Sequence, residues 1–314
     1  MGRRVSKIGP PMTTLAPIAL FVYNRPRHTR QTVDALLKNE LAGESDLFIF
    51  SDAPKKPEFT EAVQEVRGYI KTISGFRSVT IFEREKNFGL AHSIIDGVTR
   101  LCDEHGRVIV LEDDLVTSPY FLKYMNDALD LYEHDERVIC IHGYTFPVEE
   151  KLAETFFLRG ADCWGWATWK RGWDLFEPDG NALLAELGGR NLKYQFDYNG
   201  AYDFTKMLEG QISGKNDSWA IRWHASAFLK EKLTLYPGRS LVHNIGNDNS
   251  GSHCGTTTEF DVKLSDTPII FNNITVEPSQ KSSLAFENFL RKMKKGLLQR
   301  LLLKIRALWM MGTG

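Results

Sequence analysis

The 314 residues leave room for one large α/β domain with appendages or two small domains, and the hydrophobic and charged fractions, 42% and 25%, are those of an ordinary globular protein. Basic and acidic side chains nearly cancel, 39 against 40, so bulk charge argues against a nucleic-acid partner and leaves local clusters to carry the functional reading. The four cysteines, Cys102, Cys140, Cys163 and Cys254, make no CxxC pair and no zinc-finger spacing, which predicts free, mostly buried thiols of a reducing compartment.

Residues 1–15 are basic and then rich in Pro and Thr, and are expected to form a flexible tail. The apolar run at 18–23 is too short for a signal-peptide core, and no stretch approaches a transmembrane length; a cytosolic location is expected. Four short apolar runs, at 18–23, 47–52, 79–85 and 107–114, read as buried strands. Amphipathic helical patterns at 27–41, 58–73 and 89–102 separate them. Alternation of this kind predicts an α/β fold: a doubly wound, mostly parallel sheet with helices on both faces. Ligands of such sheets bind beyond the carboxyl ends of the strands. Here those ends carry Asn24-Arg25, Ser51-Asp52, residues 84–87 and Glu112-Asp113-Asp114.

A further helix is predicted at 119–134, a strand at 138–143 and a short strand at 233–236. Between them the texture changes: 161–173 reads ADCWGWATWKRGW, 216–223 reads NDSWAIRW, and 244–255 is a polar, Gly-rich loop. The tail at 285–311 places Phe286, Phe289, Leu290, Met293, Leu297, Leu301, Ile305 and Leu308 at helical spacing, among seven Lys or Arg residues and only Glu287. A basic amphipathic helix suits an anionic membrane surface, which would make the protein peripheral on the cytosolic face. The alternative is a helix that docks on the domain or on a second subunit.

Three adjacent carboxylates at the end of an apolar strand repel one another unless a cation neutralises them. A hard divalent ion, Mn²⁺ or Mg²⁺, takes oxygen ligands and bridges carboxylates to a diphosphate. Without the strand context the triplet would read as a solvated, helix-capping turn. In context, VIVLEDDLVTSPYF (108–121) resembles the metal-binding segment of GT-A-fold glycosyltransferases, particularly the Golgi N-acetylglucosaminyltransferase I family and bacterial surface-polysaccharide relatives. The resemblance implies that Asp114 is the direct metal ligand, that Asp113 orients the donor's ribose or sugar, and that Glu112 supports them.

Upstream, Phe21 to Pro26 is similar to the family's first-strand loop, with Asn24 and Arg25 at the nucleotide. Asp52 matches the position that accepts a hydrogen bond from uracil, and Asn87 and Gly89 lie in a segment similar to the loop that closes over the nucleoside. Taken singly, Asn24 could cap a helix, Asp52 could begin an Asx turn, and Gly89 could be a turn glycine. Downstream, Trp164 and Trp166 resemble the aromatic-Gly-Trp segment on the acceptor side of the donor sugar; Trp169 and Trp173 read equally well as core. Asp217 is the candidate base for an inverting transfer. The family pattern has Asp-Asp-Trp where this chain has Asp-Ser-Trp, so Asp162 and Asp248 stand as rivals, and Asp217 could instead cap the helix after it. The 244–255 loop resembles the one that folds over the donor diphosphate, with Ser252 on phosphate and His253 a candidate metal ligand, whereas His243 reads as structural.

The implied activity is a metal-dependent glycosyltransferase using a nucleotide-sugar, a UDP-sugar by resemblance, and a saccharide or lipid-linked saccharide acceptor. Residues 16–278 would form the catalytic domain, with a nucleotide half at about 16–115 and an acceptor half at about 116–278, followed by the basic segment 279–314. The rival readings are a sugar nucleotidyltransferase, against which no Gly-rich triphosphate grip is found, and a non-catalytic carbohydrate-binding protein on a transferase fold.

Overall fold

The computed structural model describes residues 14–250, 256–272 and 274–294. The first strand, β1 (Ile18–Val22), is buried along its whole length, as a strand covered on both faces must be. Pro26 opens α1 (Pro26–Leu36), its fixed φ suiting the first helical turn. The chain continues through β2 (Asp46–Ser51), α2 (Thr60–Ile70), β3 (Ser78–Glu83), α3 (Gly89–His105) and β4 (Arg107–Glu112). Gly106, left-handed at φ 76°, ends α3 by donating its N–H to the Cys102 carbonyl. These elements match the expected ones, with the polar strand-end residues at the last position of a strand (Ser51, Glu112) or just beyond it (Asn24, Arg25, Asp52, Asp113, Asp114).

Then come β5 (Leu115–Thr117), α4 (Phe121–Leu131), β6 (Val138–His142), β7 (Thr155–Arg159) and β8 (Trp166–Trp169). A helical group follows: α5 (Lys170–Trp173), α6 (Gly180–Gly189), α7 (Lys193–Phe196), α8 (Phe204–Ile212) and α9 (Trp219–Leu229). The chain returns through β9 (Leu233–Pro237) and β10 (Val242–Asn244), and a helix at 280–294, α10, lies last among the described residues.

Eight strands form one sheet in the order β3-β2-β1-β4-β8-β6-β9-β7, and β5 pairs with β10 in a small ribbon. The β3-β2-β1-β4 half is parallel, whereas β8 runs antiparallel between β4 and β6, and β7 runs antiparallel to β9. This mixed sheet, flanked by helices on both faces, is consistent with the GT-A architecture. Register decides where the site lies. Val22 pairs with Ser51, Ser51 with Glu83, and Phe21 with Glu112, so the four expected polar strand ends leave the sheet along one edge.

Two expectations are corrected. Trp166 does not face a ligand: it is fully buried in β8, packed against Trp173, Trp219 and Trp223 at ring separations of 5.8, 5.4 and 5.8 Å. Trp169 and Trp173 are buried too, so this tryptophan cluster is largely core. The second correction concerns the tail. In α10 the apolar stripe packs inward, with Ala285, Phe286, Leu290 and Met293 buried. Ser279 caps the helix by accepting the Ser282 N–H at 3.2 Å. Its cations pair with the domain: Lys292 with Glu149 at 2.9 Å and Lys294 with Asp203 at 2.6 Å. The docking alternative therefore holds for 280–294, because the stripe's rings find a matching surface on Phe146, Phe156 and Tyr236. The rest of the predicted stripe, 295–314, lies outside the described residues. No described helix is long and apolar enough to cross a membrane. Cys102, Cys140 and Cys163 are free thiols, the first two buried.

Candidate active site

The acidic triplet leaves β4 at the sheet edge, with Asp113 and Asp114 both buried. Arg25 occupies the N-cap position of α1 without capping it through its side chain. Its guanidinium instead bridges the two aspartates, pairing with Asp113 and, at 2.9 Å, with Asp114 Oδ2. The backbone fixes the same corner. The Tyr23 N–H reaches Asp113 Oδ2 at 3.4 Å, and Thr32 Oγ1 donates to the Asp113 carbonyl at 2.9 Å. Burial raises the Asp113 carboxyl above its ordinary value against the pull of Arg25, and burial followed by Asp114 pushes Glu112 up to about 8. Burial alone would lower the Arg25 pKa; Asp113, Asp114 and Glu112 outweigh it and hold the guanidinium charged. The corner is thus an anionic site whose charge is only partly balanced.

The segment after β10 passes directly over it. Ile245 donates its N–H to the Asp114 carbonyl at 2.9 Å, and Gly246 lies so close that a Cβ there would stand 2.0 Å from Asp114 Oδ2. The segment is also tied to α1, with His28 Nε2 3.1 Å from Asp248 Oδ2. The rival base Asp248 is thereby occupied in holding the loop. The loop expected over a donor diphosphate is therefore at Asp114, while Ser252 and His253 lie outside the described residues. His243 accepts the Val262 N–H in the β10 ribbon, at 3.4 Å, as a structural residue would.

Asp52 does not present a free carboxylate. Oδ1 accepts the N–H groups of Ala53 and Phe88, each at 2.8 Å. Oδ2 accepts Asn87 Nδ2 and the Gly89 N–H, each at 2.9 Å. Four donors fill the capacity of a carboxylate, so Asp52 builds the 87–89 loop. Gly89, at φ +73°, needs glycine, and a Cβ there would lie 3.9 Å from Asp217 Oδ2. Asp217 thus comes to the 87–89 loop. The N-cap of α9 is Ser218, whose Oγ accepts the Ile221 N–H, so Asp217 is not spent on the cap. It is half exposed and 3.8 Å from Arg222. Asn24 sits half-buried in the bend between β1 and α1.

Sequence patterns did not single out Arg67, His28, His142 or His224. Arg67 reaches from α2 to the carbonyls of Ser51, Asp52 and Arg84, joining two strand ends that share no local motif. Trp164 keeps some exposure; its N–H donates to His142 Nε2 at 3.0 Å, and its ring packs edge-on against Tyr144. Neighbouring Cys163 has its thiol pushed up by burial and then by Asp162, Glu112, Cys140 and Asp114, which sets this segment beside the triplet.

Among the described residues, no three His, Cys, Asp or Glu side chains gather into a metal site. The oxygen donors of Asp114 and its neighbours nonetheless suit a hard divalent ion, which takes one or two protein carboxylates and completes its shell from substrate phosphates and water.

No protein-family model matches the chain, and no curated protein matches it. Among solved structures it is similar to TarS of S. aureus, at 13% identity and a TM-score of 0.29 over 44% of this chain and 23% of that one. It is similar to TarS in complex with UDP-GlcNAc, at 14% identity and a TM-score of 0.30 over 45% and 39%. It is also similar to the mannosyltransferase PcManGT of Pyrobaculum calidifontis in complex with GDP-Man and Mn2+, at 14% identity and a TM-score of 0.38 over 72% and 73%. The chain thus spans less than half the length of the TarS chains it resembles.

Proposed function

We propose that this protein is a metal-dependent glycosyltransferase that moves a sugar from a nucleoside-diphosphate sugar to a saccharide or lipid-linked saccharide acceptor. The observation that carries the reading is the corner itself: two buried aspartates bridged by Arg25 at a sheet edge, roofed by a glycine that leaves no room for a side chain. A corner built only for stability would gain nothing from burying two adjacent carboxylates.

Asp114 would hold Mn²⁺ or Mg²⁺ together with the donor's diphosphate, and a hard divalent ion there supplies stabilisation of charge on the leaving group. Asp113 orients the ribose, with Glu112 in support. Asn24 and the 87–89 loop, shaped by Asp52, receive the nucleoside, which we take to be uridine. Arg25 balances the aspartates and is placed to meet phosphate. Trp164 offers its ring to the sugar at the acceptor side. Asp217 accepts the acceptor hydroxyl's proton as that oxygen attacks the anomeric carbon, giving inversion. Ser252 and His253 are proposed to join from the 244–255 loop. Residues 16–115 are proposed as the nucleotide half and 116–278 as the acceptor half.

Incubation with a panel of nucleotide-sugars and Mn²⁺ tests this. Release of nucleoside diphosphate, lost in Asp114→Ala with the fold intact, is the expected result. Pyrophosphate chemistry would instead mark a nucleotidyltransferase, and binding without turnover a carbohydrate-binding protein. Asp217→Asn is expected to keep donor binding and lose transfer; near wild-type transfer would remove Asp217 as the base. The basic apolar sequence of 295–314 is proposed to hold the protein at an anionic membrane, and truncation after Lys294 should abolish binding to anionic liposomes.

A further inference from the structure

A partly open hollow of about 170 Å³ lies between the 161–164 segment, the first turns of α9 and the chain around Tyr198, and nothing in the donor corner uses it. Its walls are mostly ring faces, among them Tyr144, Phe146, Trp164 and Tyr198. Two polar groups break the apolar lining. The Asp162 carboxylate accepts the Cys163 N–H on Oδ1 at 2.8 Å and the Tyr236 hydroxyl on Oδ2 at 3.2 Å, which leaves it capacity for more donors. His224 lies 2.7 Å through Nδ1 from the Ala161 carbonyl, an oxygen that can only accept, so Nδ1 carries the proton. Burial lowers the His224 pKa, so the ring is neutral and Nε2 is a bare acceptor. Among the described residues that Nε2 is buried without a partner. Buried polar atoms almost always have one, and His224 belongs to the wall of the hollow, so its free acceptor can meet a ligand's donor group.

Charge narrows the ligand. Among the described residues, no Lys or Arg lines the hollow. Burial raises the pKa of the Tyr144, Tyr198 and Tyr236 phenols in the wall and keeps them protonated beside the Asp162 carboxylate. A phosphate or a sugar acid would meet that carboxylate with no cation to offset it. A quaternary ammonium would suit the rings and the carboxylate, but it has no N–H to give His224. A pyranose meets both demands, with apolar C–H faces for the rings and hydroxyl or amino donors for Asp162 and His224. Cys163 ties the hollow to the triplet: it lines the hollow and stands three residues before Trp166, which pairs with Val110 just ahead of Glu112 in β4. Leu290 of α10 contributes to the wall, so the docked helix helps to build the hollow.

We infer that this hollow is the acceptor subsite, and that it takes a neutral or amino pyranose and rejects anionic sugars. The inference rests on the transferase reading for the word acceptor, and on the hollow alone for the sugar. Saturation-transfer NMR with methyl glucoside, methyl 2-amino-2-deoxyglucoside, methyl glucuronide and choline tests it, alongside a separate titration of UDP with Mn²⁺. The wild-type protein should bind the first two probes and neither of the others. Asp162→Asn should weaken that binding by about tenfold, and Ala220→Phe, which fills the hollow, should abolish it, both with UDP affinity unchanged. Should Ala220→Phe not fold, Asp162→Asn together with His224→Gln decides the matter. The inference is overturned if no pyranoside binds, if glucuronide or choline binds as well as the glucoside, or if the folded variants bind like wild type. Pyranoside binding in the expected pattern without any UDP binding would sink the transferase reading and leave the sugar site standing.

Discussion

Gly246→Ala offers the sharpest test of the donor corner. The backbone there is pinned on both sides, by Ile245 N–H on the Asp114 carbonyl at 2.9 Å and by Gly246 N–H on Asn244 Oδ1 at 2.8 Å. A methyl group at 246 would stand 2.0 Å from Asp114 Oδ2 and 3.1 Å from Arg25 Nη1. Ordinary contact begins near 3.4 Å, so the carboxylate must retreat by about 1.4 Å or the segment must lift off it. Overpacking of this kind costs about 1–3 kcal/mol, and in a chain of this size about 2 kcal/mol lowers Tm by roughly 3 °C. The functional loss should exceed the structural one. A misplacement of about 1 Å at a reacting centre costs on the order of 100-fold in rate. Thermal unfolding and nucleoside-diphosphate release across a Mn²⁺ titration give the two readouts. Turnover should fall about 100-fold, with the Mn²⁺ midpoint moved to higher concentration. A variant with wild-type Tm and an unmoved Mn²⁺ midpoint would refute both the contact and the role given to Asp114.

Arg25→Met removes the charge that bridges Asp113 and Asp114, all three side chains being at most 15% exposed. It should cost about 3 kcal/mol in urea unfolding without metal, and part of that should return with Mn²⁺ and UDP present. The buried rings of His142 and His224 have lowered pKa values, whereas in the unfolded chain they protonate near pH 6.5. Their contribution to stability is therefore complete above that pH and is lost as pH falls below it, by up to about 1.4 kcal/mol per pH unit for each ring. His224→Gln should make the fall in stability below pH 6.5 shallower, by at most one proton, and an unchanged slope would reject the neutral ring. Gly68→Ala, in the last turn of α2 with nothing within 4 Å of the added carbon, should stabilise by roughly 0.5–1 kcal/mol and leave turnover alone.

The half of the fold that carries the donor corner was legible because β1 and β4 are buried almost throughout and read as unbroken apolar runs, while β2 and the half-buried edge strand β3 still carry enough apolar and β-branched residues to read as strands. The other half hid its strands. Trp166 to Trp169 in β8 is only four residues between a glycine and a helix, and a tryptophan next to glycine reads the same whether it faces a sugar or the core. Periodicity found the apolar stripe of 285–293 correctly, but a stripe does not say what covers it. Phe146, Phe156 and Tyr236, which receive it, come from distant parts of the chain. His224 left no local signal, since its importance lies in a bond to the carbonyl of Ala161 and in the hollow around it.

The placement of Asp52 and Asp217 joins the two halves of the proposed reaction. Asp52 spends both oxygens on residues 53 and 87–89, so removing its charge would loosen the nucleoside loop before it touched any base. Gly89 belongs to that loop through its N–H, and its Cα faces Asp217, the candidate base. Asp217 has only a long contact with Arg222 to hold it from its own side. Its position against the reacting hydroxyl therefore depends on how the nucleoside loop sits. In the proposed reaction, a donor that ordered residues 87–89 would also fix the surface against which Asp217 rests, coupling base placement to donor binding. A loop that needed Asp52 only as an anchor would have no reason to put its left-handed glycine against the one exposed aspartate of the α9 turn.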